Sequence, residues 1–340
     1  MAEQYATLKD VAKRAGTTAA TVSYVLNNSK RRYISEELRQ RVEEAARDLH
    51  YVKSSAASSL RGKKRKIIAV LVPQFQNQFF TQMVLSIERV ADRFGYILSI
   101  CNTFDDPERE EEIINRMQAQ RVDGYIITPT ACGGENTLQV RRMGVPLVVV
   151  DRSLDINEEH FWVSSQNYES VRLAMDQFLQ CGHRKIAYIG WNADFGGLQM
   201  RQKAYLDALK AAQIPDQDRM IYNGQFTEEE GARLTEQALR EHPDTTALLY
   251  AYNVQARGGV QYLAKSHILP GKDISVIIVG SPDWARTGSN DFTCVDLGGI
   301  GLGRMAADML FRIIESERPI RPQTQIQSCS LIEGSSVYKL

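Results

Sequence analysis

The sequence predicts a small all-α helix-turn-helix head joined by a basic linker to an α/β core of two doubly wound parallel-sheet subdomains. Three observations carry that prediction. Two short amphipathic helical patterns flank Gly16, and a serine- and alanine-rich basic stretch follows. Strand-like and helix-like runs then alternate over about 275 residues, more than one comfortable core.

In the head, Leu8, Val11, Ala12 and Ala15 repeat at the spacing of one buried helical face, with Thr7 able to cap and Asp10 to complete a capping box. Gly16 permits a sharp turn, and Thr17 or Thr18 can cap a second helix through Val22, Val25 and Leu26. On shape alone this is a helix-turn-helix or an ordinary helical hairpin. Charge separates the two. Residues 1–66 hold 15 Lys/Arg against 7 Asp/Glu, and residues 67–340 hold 26 against 34, so a neutral whole hides a basic head on an acidic body. Phosphate neutralisation by one end of a chain requires that asymmetry. A third helix begins after Ser35, with Glu36 and Glu37 at its positive end and Leu38, Val42, Ala45, Ala46 and Leu49 as its apolar stripe.

Residues 53–66 read as a linker that is weakly structured in isolation, with Leu60 its lone bulky apolar group. It is either a solvated flexible connector or a hinge that folds on a minor groove and wedges Leu60 between base steps. The core's apolar runs at 67–72, 97–100, 125–128, 147–150, 186–189, 247–249 and 274–279 alternate with helix-period stretches. These lie at 80–94, 108–119, 170–180, 198–212, 228–240 and 304–315. That alternation implies parallel sheets covered on both faces.

Several function classes are excluded or left without support. No run is long enough to span a membrane and the first residues carry no apolar leader, so a cytoplasmic protein is expected. Five cysteines without metal-ligand spacing read as reduced, buried small hydrophobes, and no metal or cofactor is expected. Gly299–Gly303 lacks dinucleotide-binding spacing and a Walker lysine, His183 reads as structural, and no serine sits in a nucleophile elbow. An enzyme is not expected.

The run TLKDVAKRAGTTAATVSYVLN, the helix ending DLHYV and the segment SSAASSLRGKKRKIIAVLVP resemble the lactose-repressor (LacI) family of bacterial transcription regulators. AQRVDGYIITP, GVPLVVVDR, CGHRKIAYIG and Arg201 extend the resemblance along most of the chain. It implies a periplasmic-binding-protein-like core at 67–340, with a head at 1–53 and a hinge helix and linker at 54–66. It divides the core into one subdomain of about 67–162 and 292–323 and another of about 163–291 and 324–340. It also implies a homodimer on a pseudo-palindromic operator in double-stranded DNA, controlled by a sugar, sugar-phosphate or sugar-acid effector. The chain lacks a heptad tail, so a dimer is preferred over a coiled-coil tetramer.

Carried over singly, the DNA contacts fall on Thr7, Thr18, Ala19, Ala20, Thr21, Ser23, Tyr24, Asn27, Lys30, Arg31, Arg32 and Tyr33, with Ala57 and Leu60 in the minor groove. Ala19 and Ala20 offer thymine-methyl contact but no bidentate hydrogen bonds, and Tyr24 stands where many relatives carry arginine. The effector residues fall on Asn77, Phe79, Phe80, Asp151, Arg152, Arg201, Phe226, Asn253 and Asp283. Val254 replaces the family's usual acidic residue, Pro282 displaces Asp283 by one position, and Leu297-Gly298 replaces Gln-Pro. These departures put ordinary hexose recognition in doubt and point to a phosphorylated or carboxylated sugar held by Arg152 and Arg201, or to an atypical ligand. Two rival readings stay open: a constitutive, effector-independent DNA binder, and a cytosolic sugar-binding protein.

Overall fold

A computed structural model describes residues 6–27, 33–52, 64–130, 134–154, 159–192, 196–287 and 291–340. The chain divides into two compact units, 1–65 and 66–340.

The first unit is a three-helix bundle of α1 (Leu8–Ala15), α2 (Ala19–Leu26) and α3 (Glu36–Asp48). Each start is capped by a side chain. Thr7 and Asp10 form a full capping box, and the hydroxyls of Thr18 and Ser35 accept from the amides of Thr21 and Leu38. Gly16 ends α1 with φ 62°, the left-handed conformation its missing Cβ permits. Val11, Ala12, Ala15, Val22, Val25, Val42 and Ala45 close a small core.

The second unit holds two six-stranded sheets. The first runs β11-β5-β4-β3-β1-β2, built from β1 (Ile67–Val72), β2 (Ile97–Asn102), β3 (Gly124–Ile127), β4 (Leu147–Val150), β5 (Trp162–Ser165) and β11 (Thr324–Gln327). Its helices are α4 (Gln78–Arg93), α5 (Pro107–Ala119), α6 (Gly134–Arg142) and α11 (Gly299–Glu315). The second runs β12-β10-β9-β8-β6-β7, built from β6 (Ile186–Trp191), β7 (Met220–Gly224), β8 (Ala247–Tyr250), β9 (Ser275–Val279), β10 (Thr293–Asp296) and β12 (Ser330–Ile332). It carries α7 (Asn167–Gln180), α8 (Gly196–Ala211), α9 (Glu228–Glu241) and α10 (Asn253–Lys265). All pairings are parallel except β10 with β12. Apolar clusters cover both faces of each sheet, which is why β1, β3, β4, β8 and β9 are almost uninterrupted runs of buried residues.

The chain passes between the halves after β5, after β10 and after β11. The strand ladders therefore shift the expected divisions: 163–165 and 324–327 belong to the first sheet, and 293–296 to the second. Backbone pairing decides these edges, and apolar spacing does not report it. The glycines of 299–303 open α11, where Gly303 lies against the Met83 carbonyl and lets α11 pack closely on α4. Cysteine burial also differs from expectation: Cys294 is buried, but Cys101, Cys181 and Cys329 are half-buried, and all four are free. His183 is structural. Its Nδ1 lies 3.0 Å from Thr246 Oγ1, and its Nε2 lies 2.9 Å from the Tyr338 carbonyl and 2.8 Å from Ser275 Oγ, pinning the last residues to the second sheet. Among the described residues no helix is long and apolar enough to cross a membrane.

Candidate effector cleft and DNA-reading helix

At the carboxyl ends of the central strands the two halves of the core enclose a cavity of about 50 Å³. Open parallel sheets place ligands at such strand ends. Eight of the nine expected effector residues line it: Asn77, Phe79, Phe80, Asp151, Arg152, Arg201, Phe226 and Asn253. Asp283 does not. The extra residue introduced by Pro282 carries it into a separate, outer chamber.

Trp191 and Tyr252 add two aromatic walls that were not anticipated, and Val279, Gly280 and Leu297 complete the inner lining. Trp191 is the last residue of β6 and Tyr252 precedes α10. Placement at a strand's carboxyl end was the available signal. With Phe226 they form a cage: ring centroids lie 4.8 Å apart for Trp191–Phe226, 5.6 Å for Phe226–Tyr252 and 6.0 Å for Trp191–Tyr252.

The two arginines are buried and already engaged. Arg152 grips Asp105 through both terminal nitrogens, at 2.5 and 3.1 Å, and donates to the Pro129 carbonyl at 2.9 Å. Its guanidinium faces Trp191, 5.2 Å from the ring centre. Arg201 donates to Asn167 Oδ1 at 2.8 Å and to the Ala251 carbonyl at 2.6 Å, and lies 4.6 Å from the Tyr252 ring centre. This revises the expectation of a ligand anion held by both arginines, because Asp105 already takes the bidentate fork of Arg152.

Asp151 sits beside them in a left-handed backbone conformation, φ 66°. Its amide donates to the Val163 carbonyl and its own carbonyl accepts from Ser164 Oγ, bonds that hold an otherwise costly geometry. Burial pushes its carboxyl up from the ordinary range, opposed by the charges of Arg201 and Arg152. Arg152 and Arg201 with Asp105 and Asp151 bring two guanidiniums and two carboxyls together in a site walled by aromatic rings.

In the head, Thr18 and Ala20 are exposed, Thr21, Ser23 and Tyr24 are half-buried, and Ala19 is half-buried because it packs against the core that contains Val22 and Val25. The Asn27 amide donates to the Ser23 carbonyl at 2.6 Å and lies 3.2 Å from its hydroxyl. Thr7 is exposed within its capping box, and Tyr33 is 94% exposed. Lys30, Arg31, Arg32, Ala57 and Leu60, and with the last two the proposed hinge, lie outside the described residues.

A helix-turn-helix head with a two-sheet, cleft-bearing core defines a ligand-responsive DNA-binding regulator. Residues 65–334 match the model for periplasmic binding proteins and the sugar binding domain of the LacI family, and residues 7–54 match the model for bacterial regulatory proteins of the lacI family. The chain belongs to the LacI family of transcriptional regulators. It is 30% identical to the ribose operon repressor of Halalkalibacterium halodurans over 314 residues, covering 92% of this chain and 86% of that one. It is 26% identical to the PurR transcriptional repressor of Mannheimia succiniciproducens, covering 98% and 99%. A Lac repressor dimer bound to operator and an anti-inducer superposes with a TM-score of 0.84 at 24% identity, covering 98% and 100%. The protein is thus a DNA-binding regulator with a small-molecule-binding core.

Proposed function

We propose that this regulator represses carbohydrate-metabolism genes from a pseudo-palindromic operator and answers to an uncharged sugar in the cleft. The carrying observation is the cleft's combination of an aromatic cage with buried arginines already engaged by protein acceptors. Aromatic faces stack on sugar C–H surfaces while fixed polar groups read hydroxyls. Arg152 is held by Asp105, and Arg201 by Asn167 and the Ala251 carbonyl, so an added phosphate would have to displace bonds already made. The ribose operon repressor among the relatives supports a sugar.

On this reading residues 1–53 read bases through Thr18, Ala19, Ala20, Thr21, Ser23, Tyr24 and Asn27. Thr7, Tyr33 and Lys30–Arg32 hold phosphate, and 54–66 form the hinge with Ala57 and Leu60 in the minor groove. Two copies pair through their cores. In the first half the exposed apolar residues Leu85, Ile97 and Ile100, on α4 and the edge strand β2, suit such a contact. A protein reading operator DNA works in the cytoplasm. Ligand changes operator affinity through the angle between the two halves of the core, a coupling of about 1–3 kcal/mol.

Selection of bound DNA from a random pool, followed by binding to the selected site with and without sugars, tests the reading. The expected result is a two-fold-symmetric site whose affinity shifts when a neutral sugar is added. Binding with no sequence preference, or an affinity that no sugar alters, would overturn it.

A further inference from the structure

With the halves joined by hydrogen bonds across the cleft, the inner cavity, about 50 Å³, has room for a few water molecules, and a sugar ring enters it only when the halves part. Beside it lies a second chamber of about 560 Å³, within the range of small-molecule sites. Asn77, Phe226 and Asn253 line both. The partition between them is a hydrogen bond across the cleft, Asn253 Nδ2 to Asn77 Oδ1 at 3.0 Å. A second bond, Asp283 N to Gln78 Oε1 at 2.6 Å, also joins the halves at the outer wall. If the Asn77–Asn253 bond parts, the two chambers become one elongated site.

The outer chamber has its own recognition chemistry. Phe104 and Trp284 are among its aromatic walls, and Gln74, Gln76 and Gln78 supply carboxamides. Glu228 is paired with Arg257 at 3.1 Å, while Glu229 and Asp283 are exposed carboxylates. Carboxamides donate and accept, carboxylates accept from hydroxyl pairs, and rings stack on sugar faces. The excess of acid disfavours phosphorylated or carboxylated ligands.

Resting on the reading of the cleft as a sugar site, we propose that the effector is a neutral sugar of at least two units. One terminal unit is held in the Trp191–Phe226–Tyr252 cage against Asp151, whose buried carboxyl lines that cavity. The next unit lies in the outer chamber between Phe104 on the first half and Asp283 with Trp284 on the second. A single ring would take the cage, where Asp151 and the three aromatic rings converge, and leave the outer chamber to water.

Calorimetric titration of the full-length protein with cellobiose, maltose, trehalose and lactose, with glucose, galactose and ribose, and with glucose 6-phosphate tests this. At least one disaccharide is expected to bind tenfold or more tightly than any monosaccharide, with the phosphate ester weakest. Phe104→Ala and Asp283→Asn are both surface changes. Each is expected to cut disaccharide affinity fivefold or more while leaving monosaccharide affinity within twofold. A monosaccharide binding as tightly as every disaccharide, variants that weaken both classes equally or neither, or preferred binding of the phosphate ester would overturn the proposal while leaving a sugar-responsive regulator. Binding of no sugar of any class would instead remove the sugar reading on which it rests.

Discussion

The two halves of the core share a topology and divide the chemistry of the cleft unequally. Each is a six-stranded sheet with helices on both faces and one strand borrowed from the chain's last segment. The first half supplies the Asp105–Arg152 pair and the left-handed Asp151, and the second supplies Arg201 and the aromatic cage. Parallel-sheet architecture sets where the cleft lies. The few residues just past each strand set what it holds.

The halves also bury opposite titratable groups. Glu110 on α5 is fully buried, with Oε2 accepting from the Thr130 amide at 2.9 Å and Oε1 without a hydrogen-bond partner. Burial pushes its carboxyl up to about 7, against the lowering effects of the Thr130 amide, Asn136 and Arg152. His183 in the second half is held down by burial, opposed by its bond to the Tyr338 carbonyl.

The largest expected effect tests the charged side of the contrast. Arg152→Met leaves Asp105 facing a buried gap and should cost about 2–4 kcal/mol in denaturant unfolding, somewhat below a fully buried pair because Asp105 keeps partial contact with water. Adding Asp105→Asn should return at least about 1 kcal/mol, since the stranded charge is gone. Purely additive losses would mean the pair does not hold that wall.

The next test compares the helix pairs that brace each half. In the second, a Cβ at Gly258 would overlap the Glu228 carbonyl and one at Gly231 the Gln255 carbonyl, so α9 and α10 meet through two glycines. In the first, Gly303 does this between α11 and α4, while Gly299 makes a looser approach to the Phe79 carbonyl. Gly258→Ala and Gly303→Ala should each destabilise by about 1–3 kcal/mol. Gly258→Ala is expected to cost more, because its added Cβ would overlap the Glu228 carbonyl more deeply than one at Gly303 overlaps the Met83 carbonyl, in a crossing held by two glycines. Thermal or denaturant midpoints that do not move would show that these helices slide freely.

The head and the order of core elements could be read from the sequence because their signals are local. Thr7, Gly16, Thr18 and Ser35 sit at caps and a turn whose chemistry needs no distant partner. Most cleft residues followed from the family resemblance at single positions. The remainder depended on long-range pairing. β5, β7, β10, β11 and β12 are short or half-exposed and acquire their strand identity from neighbours. The Arg152–Asp105 bond joins residues 47 positions apart, and nothing in the spacing of either announces it. Helix α6 begins with Gly134 and carries only a weak apolar stripe, Thr137 and Val140 being its buried residues.

The buried titratable groups predict opposite pH slopes. Glu110 binds its proton more tightly folded than unfolded, so its contribution favours the fold at low pH and is lost as pH rises from about 4 to about 7. His183 is harder to protonate folded than unfolded. Its contribution is full above about 6.5 and is lost as pH falls below that value. Glu110→Gln should remove the first slope and raise stability at pH 8 by about 1–3 kcal/mol, and His183→Gln should remove the second. Unfolding free energies measured from pH 4.5 to 8 check both signs. A Glu110→Gln protein with the parent's slope would mean that the carboxyl is solvated.

The smallest effect distinguishes the helix starts. Asp106 caps α5 by accepting from the amides of Glu108 at 2.9 Å and Arg109 at 3.4 Å, and Thr227 caps α9 by accepting from the amide of Glu230 at 3.2 Å. Alanine at either position should cost about 1 kcal/mol through an unsatisfied helix amide. Asp106→Ala should cost a few tenths more at low salt, because its full negative charge also meets the positive end of the helix. Salt screens that extra part and leaves the neutral Thr227 bond untouched, so the two losses should converge in about 1 M NaCl. A gap that persists at high salt would place the difference in the second hydrogen bond of Asp106, not in its charge.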